Sequence, residues 1–272
     1  MTRRRDALAL LSAVALPTAR AAEPLRITVP QLAPSAQEHA SYFPQLLRLA
    51  LEKTHASDGP FEIRHYAEAM SGPRQFAELK KDGALNLVWD GTDPRRETEL
   101  LPVRISLLRE LNDYRVFLIR KGDQARFNAV RSLADLRQFS AGAGETWPST
   151  GVLRANGLPV VTSIGYEQLF AMLGAGRFDY MPRGVYEAWY EQSQHGDLAI
   201  EEGLFLHYSV PFYFFTSRKN PALADRIERG LRAAMADGSF DRLFHSIPSF
   251  RRSLDEIHAS KRRVIELRLP PG

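Results

Sequence analysis

Short runs of alternating apolar and polar residues recur along this chain, separated by segments whose apolar positions repeat every third and fourth residue. Leu25 to Pro30 (LRITVP) alternates and predicts a strand. After a polar loop, Phe43, Leu46, Leu47, Ala50 and Leu51 fall at the spacing of an amphipathic helix. Phe61 to Tyr66 (FEIRHY) alternates again. Pro73 opens a short helix carrying Phe76 and Leu79, which Gly83 ends, and Leu85 to Trp89 (LNLVW) predicts a short buried strand. The order β-α-β-α-β is that of a parallel sheet covered by helices.

The same grammar returns further on. Tyr114 to Ile119 (YRVFLI) is a longer apolar run, and the polar turn Arg120–Asp123 after it is the expected passage from a first lobe to a second. Ser132 is placed to cap a helix over Leu133 to Leu136. Leu158 to Val161 predicts a strand; Tyr166, Leu169, Phe170 and Leu173 make a helical stripe; Phe178 to Met181 predicts another strand. Leu204 to Phe215 (LFLHYSVPFYFF) reads as the return. Asn220-Pro221 starts a helix running through Leu223, Ile227, Leu231 and Ala234. Residues 250–272, charged and then Pro-rich, are expected to wrap the first lobe. The expected division is an export segment over 1–22, lobe one over 23–119 and 208–272, and lobe two over 120–207.

The export segment changes the reading of charge. Arg3, Arg4 and Arg5 form a positive head, Ala7 to Leu16 an apolar stretch too short to span a bilayer, and Ala19-Arg20-Ala21 a small-x-small cleavage pattern. Cleavage is expected after Ala21 or Ala22. Thr2-Arg3-Arg4 faintly resembles a twin-arginine signal, but Asp6 stands where such signals carry an apolar residue, which favours the general secretory route. The formal charge of +4 falls to +1 once residues 1–22, with four Arg and one Asp, are removed. The high isoelectric point therefore gives no support to nucleic-acid binding. The chain has no cysteine, which excludes disulfides, thiolate chemistry and an N-terminal lipidated cysteine. A free monomer in the periplasm, without lipid anchor, is the expected product.

Four stretches together resemble the extracellular solute-binding proteins of family 3, the polar-amino-acid class of ABC transporter binding proteins with the type II periplasmic binding fold. They are FAELKKDGALNLVWDGTDPRRETELLPVRISL, VRSLADLRQFSAGAGETW, YEQLFAMLGAGRFDYMP and YFFTSRKNPALADRIERGLRAAMADGSFDRLF. The resemblance covers nearly all of the chain after residue 22. It implies an α/β protein of two lobes, each a mixed, mostly parallel sheet flanked by helices, with two inter-lobe crossings and lobe one built from both ends of the chain. It implies capture of a small polar solute by hinge closure, no cofactor, and delivery to an ABC-type permease or a membrane sensor.

The resemblance also implies site residues. Arg96 matches the family arginine whose fork pairs with a ligand carboxylate, with Arg95 beside it as the alternative, and Thr146 matches a threonine that helps hold that carboxylate. Trp147 is a large aromatic in a polar loop, positioned to stack on a solute; Thr150 closes the same loop, ahead of a helix whose first amides are free. Trp89 and Asp90 end a lobe-one strand, where ligands of parallel sheets bind. Tyr42 and Ser71 follow the first two strands and share that logic. Arg183 departs from the family, which carries an acidic residue near that place for the ligand amine; a cation there points toward a second anionic or carbonyl end on the ligand.

No catalytic signature is present: no Gly-x-Ser-x-Gly, no His-Glu-x-x-His, no phosphate loop. The seven histidines show no metal-ligand spacing. Two other classes stay open, a periplasmic enzyme resembling cyclohexadienyl dehydratase, for which a cleft carboxylate of raised pKa (Asp90 or Glu145 by position) is the mark, and a sensor that signals through a membrane receptor.

Overall fold

The alternation over Leu25 to Pro30 becomes strand β1 (Leu25–Val29) in the computed structural model, which describes residues 23–32 and 38–270. The expected export segment lies outside the described residues. Helices α1 (Glu38–Lys53) and α2 (His55–Asp58) lead to β2 (Phe61–His65), then α3 (Gly72–Lys81), β3 (Leu87–Gly91), α4 (Pro94–Glu99) and β4 (Leu101–Val103). A 3-10 turn (Arg109–Asn112) precedes β5 (Tyr114–Arg120), α5 (Gln124–Phe127) and α6 (Leu133–Leu136). There follow β6 (Ala141–Gly144), α7 (Pro148–Ala155), β7 (Val160–Ser163), α8 (Tyr166–Gly174), β8 (Tyr180–Gly184) and α9 (Ala188–Gln194). Strands β9 (Leu198–Ile200), β10 (Leu204–His207) and β11 (Phe212–Thr216) come next. The chain then runs through α10 (Pro221–Ala236), α11 (Ser239–Ser246), α12 (Pro248–Ala259) and β12 (Arg263–Glu266).

Lobe one is assembled from both ends. Strands β1 and β2 pair in parallel, and β11 lies antiparallel between β3 and β4. Asn86 joins the two parts: its amide donates to the Thr28 carbonyl (2.9 Å) while its side-chain oxygen accepts from the Thr28 amide (2.8 Å). The apolar stripe of α1 is fully inside, with Leu46, Leu47, Ala50 and Leu51 at zero exposure. It packs on α10, where Gly230 lies so close to the Ala50 carbonyl that no side chain fits. The expected caps form as well: Asn220 accepts from the Leu223 amide at 3.3 Å and Ser132 from the Asp135 amide at 3.3 Å.

Lobe two is a seven-stranded sheet in the order β12-β10-β5-β8-β6-β7, with β9 also on β5. Here the boundaries shift from those expected. Strand β5 belongs to the second lobe, antiparallel to β8 from Arg115↔Gly184 to Ile119↔Tyr180. Val116 to Ile119 are all buried; such a run fits a central strand of lobe two covered on both faces, not a strand of lobe one ahead of the crossing. The crossings instead use residues 104–113 outward and 208–211 on return. The C-terminal stretch divides. Helix α12 does pack on α1, α11 and the 3-10 turn of lobe one, but β12 then pairs with β10 on the second sheet. Ile265 and Leu267 enter the second core. The parallel partner covers an edge that β10 would otherwise leave open, and the chain thus makes a further passage beyond the two expected. No helix among the described residues is long and apolar enough to cross a membrane.

Candidate functional site

Between the lobes lies a polar cavity of about 250 Å³, whose lining includes Asp90, Asn112, Arg115, Trp147, Tyr186 and Glu187. A second space of about 380 Å³ adjoins it through Asp90, Trp147 and Tyr166 and reaches Ser71, Arg96 and Thr146. Lobe one supplies the end of β3 and the start of α4; lobe two supplies the loop before α7 and the β8–α9 turn.

Arg96 sits in the first turn of α4, whose N-cap Asp93 accepts from the Arg96 amide at 2.8 Å. Its guanidinium is heavily engaged. It donates to the Gly91 carbonyl, pairs with Asp90 (3.0 Å) and Asp93 (3.5 Å), and lies 4.3 Å over the Phe76 ring. It also donates across the cleft to the Thr146 carbonyl at 3.2 Å. The expected fork for a ligand carboxylate is thus a contact between lobes, with two acids already on it. Arg95 points outward to Glu99.

Arg183 lines the cavity, as its candidacy expected, and carries partners of its own. It is not an isolated cation: its Nη2 lies 2.6 Å from Glu191 and 2.9 Å from Glu187, and its Nε donates to Glu191 Oε2 at 2.7 Å. Two acidic groups stand close by, four and eight residues further along the chain. The Trp147 and Tyr166 rings lie 4.7 and 5.7 Å from the guanidinium, and the Tyr166 hydroxyl donates to Glu191 at 2.6 Å. Burial opposes the charge on Arg183, yet the two carboxylates hold its pKa well above the ordinary value. Burial drives Glu187 the other way: its pKa is raised, against the pull of Arg183 and with help from Glu191. Trp147 fits because its indole lies on Gly144, where a Cβ would occupy the ring's space.

Other expected residues divide between cleft and core. Asp90 and Trp147 line both spaces; Ser71, at the N-cap of α3, and Thr146 line the adjoining one. Thr150 is buried, its hydroxyl donated to the Gly144 carbonyl at 2.6 Å, which ties the loop to α7 rather than reaching a solute. Trp89 stacks on Phe43 (5.5 Å) and meets Phe214 edge-on, packed against the lobe-one core. Tyr42 is corrected outright. It lies inside α1, not in a loop, fully buried against Phe250 and Phe244, with its hydroxyl donated to the Leu107 carbonyl at 2.9 Å. Its placement follows from the stripe one residue on, which turns that face of the helix inward.

Arg115, Asn112, Glu187, Glu191 and Tyr186 were not legible as site residues in the sequence, and Tyr166 read only as part of a helical stripe. Some signal was present: Arg115 is a charge at the head of an apolar strand, and Arg183, Glu187 and Glu191 recur every fourth residue. Among the described residues no group of three or more His, Asp or Glu is arranged to hold a metal ion.

No family model matches the chain, and no curated protein matches it significantly. Solved structures do. A periplasmic binding protein of an arginine third transport system from Legionella pneumophila aligns with a TM-score of 0.62 at 15% identity, over 82% of this chain and 99% of its own. An ancestral amino-acid-binding protein, precursor of cyclohexadienyl dehydratase, gives 0.59 at 13%, over 82% and 94%. A histidine kinase sensor domain with similarity to periplasmic binding proteins gives 0.59 at 13%, over 84% and 97%. At these identities the likeness fixes the architecture: the chain has the two-lobed α/β fold of the periplasmic binding proteins.

Proposed function

We propose that this protein is exported to the periplasm, where it captures a small polar solute with an anionic end between its lobes and delivers it to a membrane permease. The observation that carries this is the polar inter-lobe cavity, lined from both lobes by Asp90, Arg115, Trp147, Arg183 and Glu187. At about 250 Å³ it has room for a small solute of amino-acid size. Contacts to both walls would favour the closed state, because a ligand shifts a two-state equilibrium only by its differential affinity. A thermal-shift screen of amino acids, dicarboxylates and short peptides tests it. A ligand at 100 times its dissociation constant stabilises the fold by about 2.7 kcal/mol. No shift with any compound would count against solute capture.

One observation favours a second reading, an enzyme on the same fold. Glu187 is a cleft carboxyl whose pKa is raised, the property expected of a general acid. Under that reading a screened compound is consumed, as followed by NMR, and Glu187→Gln abolishes its turnover. Under the binding reading the compound is recovered unchanged.

A further inference from the structure

Three guanidinium groups approach the cleft, and their partners differ. Arg96 holds two carboxylates and two carbonyls and faces the adjoining space, not the 250 Å³ cavity. Arg183 holds Glu191 and Glu187. Arg115 lines the cavity, is only 7% exposed, and has no carboxylate within 4.0 Å among the described residues. Its donors go to neutral acceptors: Nη1 to the Asn112 carbonyl (2.5 Å) and the Tyr114 carbonyl (3.2 Å), Nη2 to the Asn112 side-chain oxygen (3.1 Å). Its Nε has no acceptor among the described residues. An arginine cannot relieve burial by losing its proton, and a buried charge is ordinarily paired.

The surroundings couple this cation to the hinge. Arg115 stands at the start of β5, just after the outward crossing, opposite Gly184 on β8. Asn112, which holds the guanidinium from below, donates its side-chain amide to the Val210 carbonyl on the return crossing at 2.5 Å. A group bound at Arg115 therefore bears on both connections between the lobes.

We propose that Arg115, and not Arg96, anchors the anionic end of the solute, and that this solute is a small carboxylate. Arg96 then serves as the contact that holds the lobes together. The inference rests on the solute-binding reading above.

Calorimetry tests it with the tightest-binding carboxylate of the screen and the primary amide of the same compound. The wild-type protein is expected to prefer the carboxylate by at least tenfold. Arg115→Gln should lose at least tenfold for the carboxylate while holding the amide within threefold, so the preference collapses. Arg96→Ala should weaken both compounds alike. A preference that survives Arg115→Gln, or one that collapses in Arg96→Ala instead, overturns the assignment and leaves solute capture standing. Should Arg115→Gln fail to fold, Arg115→Lys keeps the charge without the fork and should reduce the preference to a few-fold; an undiminished preference overturns the proposal. A screen that yields only uncharged or cationic ligands also overturns it without touching solute capture, whereas a screen that yields no ligand removes both.

Discussion

The two walls of the cleft carry the same kind of cluster, an arginine between two carboxylates, in opposite settings. On lobe one, Asp90 and Asp93 are about a third exposed at their side chains, and Arg96 reaches over the gap to Thr146 of lobe two. On lobe two, Arg183, Glu187 and Glu191 all belong to β8 and the turn and helix that follow it, and Glu191 is only 2% exposed. Exposed ion pairs are screened and contribute little, whereas a buried pair left half-made is strongly destabilising. The lobe-one cluster can therefore be broken and remade at low cost. The lobe-two cluster is buried, so breaking it is expected to cost more, and Trp147 and Tyr166 lie against its guanidinium. Under the proposed function, the first is the wall a solute would draw closed and the second the wall it would close against.

The largest expected effect tests the rigid wall. Glu191→Ala leaves Arg183 short of its closest partner and the Tyr166 hydroxyl without its acceptor. Denaturant unfolding should show a loss of about 3–5 kcal/mol. A loss below about 1 kcal/mol would mean that the two walls do not differ in kind.

The next effect reads the contact between lobes through pH. His39, on α1 of lobe one, meets Tyr186 of lobe two edge-on at 5.3 Å. Burial lowers its pKa from 6.5 to about 4, with Glu191 opposing and Arg183 adding to the shift. In the unfolded chain His39 takes up a proton near pH 6.5, but in the folded chain only near pH 4. The unfolded state thus binds more protons across that window, and stability falls as pH drops through it. At about 1.4 kcal/mol per unit of pKa, the loss attributable to His39 is bounded at about 3 kcal/mol. Melting curves from pH 7 to pH 4 should slope less in His39→Gln than in the wild-type protein. Parallel curves would remove His39 from this account.

The smallest effect tests the Arg96–Thr146 contact between the lobes. Arg96→Ala should cost about 1–2 kcal/mol, since hydrogen bonds to a charged group contribute about 1.5–3 kcal/mol and its acidic partners are partly solvated. Its clearer signature is geometric: small-angle scattering should report a larger radius of gyration as the Thr146 contact is lost. In that open form His39 is better hydrated, so the acid slope should also shrink. A destabilisation matching that of Glu191→Ala, with no change in size, would make Arg96 an ordinary structural arginine.

Much of this molecule was determined by the sequence alone. The stripe from Phe43 to Leu51, the caps at Ser132 and Asn220 and the alternating strands follow from periodicity and local hydrogen bonding, which depend on residues close in the chain. The two-lobe plan followed from the repetition of those patterns. What periodicity does not carry is partnership between distant residues. Nothing local says that β5 is a central strand of lobe two, that β12 covers the edge of β10, or that Tyr42 turns inward to Leu107. The charges illustrate this most sharply. Arg96, Arg115 and Arg183 are the same side chain in the sequence; only the tertiary structure gives two of them carboxylates and leaves the third facing the cavity with neutral partners. The reason is physical: the state of a charge is set by burial and by the groups within a few ångströms, and folding draws those groups from both lobes and both crossings.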